Sequence, residues 1–162
     1  MKFELYYLTK LYMKVVFILG SESDKEFAGK IQSELGKWGI QHELYVASAH
    51  KVPEKVYDLV SNFNKSEEAI VYITIAGRSN GLSGVTAANS VHPVIACPPF
   101  VDKDDLATNI NSTLQMPSDT PVLTVIDPKN AAAAAARILG LTDEDMKGKV
   151  GERIKEIKES FK

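Results

Sequence analysis

The hydrophobic positions of the chain fall into five short runs that recur at nearly even intervals. The runs are rich in Val and Ile and apolar at successive positions, which is typical of strands buried on both faces of a parallel sheet. The gaps between them are long enough for a crossover helix, and no hairpin turn joins neighbouring runs. We therefore predict parallel strands at Val15–Leu19, Glu43–Val46, Ala69–Ile75, Val94–Cys97 and Val122–Ile126.

The segments between the runs carry the helical period, with apolar side chains three or four residues apart on one face. Gly39 marks the end of the first helix, and Pro53 stands where a first-turn proline begins the second. This alternation predicts a three-layer, flavodoxin-like, doubly wound α/β fold with a parallel sheet of about five strands. The stripes expected to face the sheet are Phe27, Ile31, Leu35 and Trp38; Val56, Val60 and Phe63; and Leu106, Ile110 and Leu114.

Two further helices are predicted near the C-terminus. Pro128 opens a helix that contains six consecutive alanines, residues 131–136, whose small side chains allow close approach to another backbone. After Gly140, a last helix begins near Thr142, and its stripe needs a partner surface on this domain or on another subunit. We expect helix 142–161 to pack on a neighbouring subunit. Its apolar stripe is Met146, Val150, Ile154, Ile157 and Phe161.

The length of 162 residues is typical of one domain, which we assign to residues 13–162. Residues 1–12 contain several apolar side chains, but Glu4 and Lys10 interrupt them. No apolar run of the chain approaches the roughly 20 residues of a membrane span, so we expect no membrane partner. We interpret residues 1–12 as an N-terminal extension, and Met13 as an alternative natural start.

Charge and cysteine content exclude several kinds of partner and site. The net charge of −2, from 19 basic and 21 acidic residues, provides no basic field for a phosphate backbone, so no nucleic-acid partner is expected. Cys97 is the only cysteine, which excludes an internal disulfide and suits a cytoplasmic location. It ends a predicted strand and is interpreted as a packing residue. No set of His, Asp and Glu has metal-ligand spacing, so we predict no metal.

Ligands of parallel α/β sheets bind beyond the carboxyl ends of the strands, where three loops carry candidate chemistry. In the first loop, Gly20 permits a tight turn before a helix N-terminus. The free N–H groups of that helix, with the hydroxyls of Ser21 and Ser23, can hold a phosphate. The alternative is that Ser23 or Asp24 only caps the helix.

The second loop, Ser48–Pro53, places a histidine at a strand end. His50 lies between small residues and Lys51, a setting that suits proton transfer near neutral pH. The alternative is an idle, exposed histidine. His42 and His92 lack this setting, and we interpret both as structural.

The third loop, Ala76–Gly84, follows the most apolar strand. Its glycines, Gly77 among them, permit backbone approach to a ligand, and Arg78 offers a fork of donors for an anion. Ser79 and Asn80 add directional hydrogen bonds. A plain flexible loop is the alternative, and the pattern matches neither the dinucleotide nor the Walker fingerprint.

Taken together, these loops resemble the PurE family of purine biosynthesis. The family pattern is G-S-x-S-D after the first strand, S-A-H-[RK]-x-P after the second and a Gly-rich loop after the third, and the chain matches each in order. The resemblance runs from about Lys14 to Leu141. It includes Asn89–Pro98, the element Gln115-Met116-Pro117 and the Ala-rich helix.

The third loop separates the two classes of this family. Where the mutases of N5-carboxyaminoimidazole ribonucleotide carry a histidine, this chain has Gly81, and Lys51 rather than arginine follows His50. The chain therefore resembles class II, which carboxylates aminoimidazole ribonucleotide directly with CO2. The mutase activity is the close alternative, and a non-enzymatic flavodoxin-like binding module is a remote one.

The resemblance implies an ATP-independent carboxylase of de novo purine biosynthesis that uses no cofactor and forms a homo-octamer. Its substrates would be CO2 and a ribonucleotide with a 5′-phosphate. His50 would be the catalytic residue that takes the C4 proton of the carboxylated intermediate. The implied substrate-binding residues are Ser21, Ser23, Ser48 and Lys51 for the phosphate and hydroxyls, Asp24 for the ribose, Arg78 and Ser79 for the imidazole and carboxylate, and Gly77 and Gly81 for the CO2 pocket.

Overall fold

The structure, a computed structural model, describes residues 12–162, in which strands and helices alternate. The predicted extension at residues 1–12 lies, apart from Tyr12, outside the described residues. The strands are β1 (Met13–Leu19), β2 (Gln41–Val46), β3 (Ala69–Ile75), β4 (Val94–Ala96) and β5 (Leu123–Thr124). The helices are α1 (Lys25–Trp38), α2 (Pro53–Phe63), α3 (Gly81–Asn89), α4 (Lys103–Leu114), α5 (Pro128–Leu139) and α6 (Glu144–Glu159).

The strands form one parallel sheet with the order β2-β1-β3-β4-β5. Strand β1 pairs with both β2 and β3, so Phe17 lies opposite Leu44 on one side and Ile73 on the other. The chain leaves β1 toward one edge of the sheet and then crosses to the other, which makes the β1/β3 boundary a topological switch point. This arrangement confirms the predicted doubly wound α/β fold.

Helices cover both faces of the sheet, which is why β1 has no polar position between Val15 and Leu19. Val15, Phe17 and Leu19 are buried among α1 and α5, whereas Val16 and Ile18 are buried among α2 and α3. Side chains alternate between the two faces of a strand, so a central strand with both faces covered must be apolar throughout.

The alanine-rich helix α5 packs directly against α1 and the sheet. Four of its alanines are fully buried, and their small side chains let the two helix backbones approach each other. The predicted close packing of this segment is confirmed. The buried alanines are Ala131, Ala132, Ala135 and Ala136.

The last helix, α6, is divided between buried and exposed halves. Met146 is buried, and Val150 packs at the edge of the core formed with α1 and α5. Farther along, Ile154, Ile157 and Phe161 are 37%, 43% and 87% exposed. The first half of the stripe therefore covers its own domain, and packing of the second half on a neighbouring subunit stays a prediction. No helix in residues 12–162 is both long enough and apolar enough to span a membrane.

Two local expectations were wrong. The loop predicted to run to Gly84 ends at Asn80, because the Asn80 side chain accepts the Ser83 N–H at 3.1 Å and caps α3. In α4, the expected apolar stripe does not join the core on either face of the sheet: Leu106 and Ile110 are only partly buried and Leu114 is 61% exposed. The buried side chains of this helix are Asn109 and Thr113. The polar face of α4 turns inward because it holds the backbone of the third loop.

Candidate active site

The three loops predicted to carry chemistry meet at the carboxyl edge of the sheet and enclose a cavity of about 400 Å³. This follows from the topology, because parallel strands end at the same edge and β1 lies between β2 and β3. All the predicted site residues except Gly81 line the cavity. They are Ser21, Ser23, Asp24, Ser48, His50, Lys51, Gly77, Arg78 and Ser79.

The first loop presents hydroxyls and a helix N-terminus to the cavity. Ser21 caps the short 3-10 helix Glu22–Asp24, which leads into α1. The Ser23 hydroxyl donates to Ser21 Oγ at 2.9 Å, and the Ser23 N–H lies 3.3 Å from the same oxygen. The capping alternative for Ser23 or Asp24 does not describe this turn, since Ser21 is the cap and Asp24 makes no side-chain capping bond at α1.

The carboxyl group of Asp24 is half-buried in the cavity wall. Burial raises its pKa above the ordinary value, and a backbone hydrogen bond with Ser21 offsets part of that effect. Because its side chain is not occupied by helix capping, Asp24 can accept hydrogen bonds from ligand hydroxyls in the cavity.

The second loop is a tight turn that holds His50 at the cavity. The N–H groups of Lys51 and Val52 both donate to Ser48 O, at 3.2 and 2.9 Å, and α2 begins at Pro53. The turn leaves the His50 ring exposed toward the cavity.

The residue that faces the His50 ring is Gly81, at the start of α3. A Cβ atom on Gly81 would lie 3.0 Å from His50 Nε2 and 3.1 Å from Cε1, which is tighter than most Cβ contacts in proteins. Glycine at this position therefore allows the imidazole to lie against the α3 backbone. This contact places Gly81 beside His50 although Gly81 does not line the cavity.

Two cations face the cavity without a carboxylate partner. Within residues 12–162, no Asp or Glu oxygen lies within ion-pair distance of Lys51 or Arg78. Both side chains are exposed, so they are available to an anionic ligand.

The third loop is held from below by α4, through residues that the sequence analysis missed. Asn109 Oδ1 accepts the Arg78 N–H at 2.7 Å, and the Ser112 hydroxyl donates to Arg78 O. Asn80 Nδ2 donates to Thr113 Oγ1 at 3.0 Å. The spacing of these helix residues, three and four apart, places them on one face and is the only sign of their role in the sequence.

The other titratable groups considered earlier lie away from the cavity. His92 Nε2 lies 3.1 Å from Phe63 O, and the His42 ring packs edge-on against Phe17, in agreement with structural roles. Burial raises the pKa of the Cys97 thiol to about 12, so Cys97 is a packing residue. The described part of the chain has no group of three His, Cys, Asp or Glu side chains placed to hold a metal.

A doubly wound sheet with a polar cavity at its switch point, one exposed histidine and two unpaired cations is the arrangement of an α/β enzyme that acts on an anionic small molecule. The family follows from direct comparison. A family model described as AIR carboxylase matches residues 14–160, and the chain belongs to that family. The predicted membership of the PurE family is thus confirmed.

Individual relatives agree with this assignment. The chain is 46% identical over 138 residues to phosphoribosylaminoimidazole carboxylase of Archaeoglobus fulgidus, covering 85% of this chain and 75% of that protein. It is 38% identical over 130 residues to the human bifunctional phosphoribosylaminoimidazole carboxylase/phosphoribosylaminoimidazole succinocarboxamide synthetase, of which it spans 30%. The crystal structure of Treponema denticola PurE superposes with a TM-score of 0.86 at 38% identity, covering 92% of this chain and 94% of that one.

The raised pKa of Asp24 predicts that its ionised carboxylate lowers the stability of the folded protein at neutral pH. Since burial favours the neutral acid, ionised Asp24 costs folding free energy at neutral pH, and the cost disappears as the pH falls through the raised folded pKa toward 3.8. Asp24→Asn should therefore raise the free energy of unfolding at pH 7, with no gain near pH 3, as measured by urea unfolding.

The control for this measurement is Glu22→Gln on the same turn. Glu22 is exposed and pairs with Lys25, so removing its charge should not stabilise the protein. Equal gains in the two variants, or a gain from Asp24→Asn that persists at pH 3, would show that the burial of Asp24 has no energetic cost.

Proposed function

We propose that the chain is a CO2-dependent phosphoribosylaminoimidazole carboxylase. It adds CO2 to C4 of 5-aminoimidazole ribonucleotide to give 4-carboxy-5-aminoimidazole ribonucleotide, and it catalyses the reverse reaction. The observation that carries this proposal is the contact between His50 and Gly81 at a cavity with two unpaired cations. The cavity thereby brings together a proton acceptor and anion-binding groups.

The substrate phosphate belongs at the first loop. The hydroxyls of Ser21 and Ser23 lie at the N-terminal end of α1, where the helix dipole favours an anion. Lys51 and Ser48, on the neighbouring loop, supply a charge and a further donor. Asp24 accepts from the ribose hydroxyls.

The imidazole and the new carboxylate belong at the third loop. Arg78 has five N–H donors in a planar fork, which suits a carboxylate, and Ser79 lies next to it. Gly77 leaves room in this wall of the cavity for CO2. Binding at both ends fixes the ring between the loops, so much of the catalytic effect comes from orientation.

In the reaction, the C4 carbon of the electron-rich ring attacks CO2. The carbon–carbon bond forms as electrons from the exocyclic amine move through the ring, and the two CO2 oxygens become a carboxylate. His50 then removes the C4 proton, the C4–H electron pair restores the aromatic ring, and the proton passes to solvent. In the reverse reaction, protonated His50 donates its proton to C4. The carbon–carbon bond to the carboxylate then breaks, its electrons return to the ring, and CO2 leaves.

Position 81 favours the carboxylase over the mutase of the same family. The mutases described above carry a histidine here, whereas in the present structure a side chain at this position would meet the His50 ring, whose Nε2 would lie 3.0 Å from the Cβ atom. With glycine here, the His50 ring itself occupies this space, at the edge of the cavity in which CO2 is proposed to bind.

The choice of class is tested by supplying the carboxyl group in two forms. The purified protein should form 4-carboxy-5-aminoimidazole ribonucleotide from aminoimidazole ribonucleotide and CO2 without ATP, well above a protein-free control. With the N5-carboxy compound and isotopically labelled CO2, the product should carry the label. Turnover of the N5-carboxy compound without label, and none with CO2, would identify a mutase.

The role of His50 is tested by His50→Asn, which keeps a polar side chain of smaller size but removes the imidazole that accepts the proton. We expect turnover to fall by about 10²–10⁴-fold, the usual contribution of a general acid–base. Nucleotide affinity, measured by calorimetry, should change only a few-fold. His92→Gln is the control and should retain activity; an active His50→Asn enzyme would refute the proton-transfer role.

We further propose that the protein is a homo-octamer of the cytoplasm, with the end of α6 on a neighbouring subunit. Supporting this, Ile154 and Ile157 are partly exposed and line a groove of about 630 Å³ together with Trp38. An apolar stripe that continues past its own core favours a protein partner. The single cysteine, Cys97, suits a reducing compartment.

Light scattering tests the assembly. The protein should have the mass of eight chains, and Ile157→Glu should shift it to smaller species because a carboxylate replaces an apolar contact. The control, Gly151→Glu, adds the same charge on the same helix where a side chain meets open space. A monomeric protein at micromolar concentration would contradict the proposal.

A further inference from the structure

The backbone of Arg78 adopts a conformation that its surroundings must maintain. Its φ is 53°, in the left-handed region that residues other than glycine rarely occupy. Such a conformation persists only where neighbouring groups determine it, and it sets the direction in which the side chain leaves the backbone. For Arg78, that direction is toward the cavity.

Hydrogen bonds from α4 supply that constraint. Asn109 Oδ1 accepts the Arg78 N–H at 2.7 Å, and the Ser112 hydroxyl donates to Arg78 O. The same hydroxyl oxygen accepts the Asn80 N–H at 3.1 Å. The polar groups of the Arg78 backbone are thereby fixed on both sides of its Cα atom.

A second link determines which way the Asn109 amide faces. Asn109 Nδ2 donates to Asp105 Oδ1 at 2.9 Å, and Asp105 Oδ2 accepts the Val101 N–H at 3.0 Å. An ionised carboxylate only accepts hydrogen bonds, so Asp105 requires the nitrogen of the amide to face it. The oxygen must then face Arg78. Asn109 is 3% exposed, which leaves little water to compete for either end.

We propose that Asp105 and Asn109 form a positioning pair that aims the Arg78 guanidinium at the carboxylate of the ribonucleotide. Neither residue lines the cavity, so both act through Arg78 and are not catalytic residues. The inference rests on the proposed function, because it assigns Arg78 a carboxylated ligand. The pair affects activity by setting the direction of the Arg78 side chain, and this effect is separate from any contribution of the pair to folding.

The first test exchanges the two side chains. Asn109→Asp sets two carboxylates against each other and should lower kcat/KM for decarboxylation by roughly tenfold or more, since small displacements of a positioning group are costly. In the double variant D105N/N109D, the carboxylate introduced on α4 accepts both from the Arg78 N–H and from the amide that replaces Asp105. The oxygen of that amide in turn accepts the Val101 N–H. Every link is restored, so kcat/KM should recover most of the loss.

The second test separates positioning from a structural role. In an Arg78→Ala background, adding N109D should lower the melting temperature but leave kcat/KM unchanged, because there is no guanidinium left to aim. An equal loss of kcat/KM from N109D in the wild-type and Arg78→Ala backgrounds would overturn the inference. Full activity of Arg78→Ala, or no recovery of kcat/KM in D105N/N109D, would overturn it as well.

Hydrogen exchange of the Arg78 N–H gives a readout independent of activity. It should be slow in the wild-type protein and in the double variant, and faster in N109D. A wild-type protein without activity on either ribonucleotide would refute the proposed function, whereas an exchange rate unaffected by N109D would refute the positioning pair itself.

Discussion

The central strand β1 is surrounded on four sides, by β2 and β3 along its edges and by helices on its faces. Everything else in the molecule depends on this burial. Because β1 must satisfy its backbone groups on both edges, the chain goes to β2 on one side and β3 on the other. The three strands end together, and the loops that follow them surround one space. The position of the cavity is therefore a result of how the core is built, before any functional residue is considered.

The fold was predictable because burial on both faces removes polar residues from the strands, and this depletion is visible in the sequence. Helix α4 was not predictable in the same way. Its sequence has an apolar stripe ending at Leu114 and a polar one containing Asn109 and Thr113, and periodicity alone favours burial of the former. The structure buries the latter, because the loop above it has backbone groups that require partners. Helix α3 was not predicted because its glycines are typical of a loop, and the structure shows that Asn80 caps a helix there.

The candidate site likewise contains residues that the sequence predicts and residues that only the structure reveals. Residues such as Ser21, His50 and Arg78 follow strand ends directly, so the topology brings them together once the fold is known. The residues that hold the third loop, Asn109 and Ser112, come from a helix far along the chain. Nothing in the sequence indicates that Arg78 has a positive φ, since only its neighbours in space impose that conformation. The groups that face a ligand were therefore easier to find than those that support them.

The unpaired cations at the cavity have a consequence for how a ligand reaches the protein. The chain as a whole carries a net charge of −2, so its overall charge provides no attraction for a distant anion. Attraction by Lys51 and Arg78 acts only within a screening length, about 8 Å at physiological ionic strength. An approaching nucleotide is thus guided over the last part of its path, at the mouth of the cavity. Added salt should slow its arrival more than it hastens its departure, because the encounter depends on this local field.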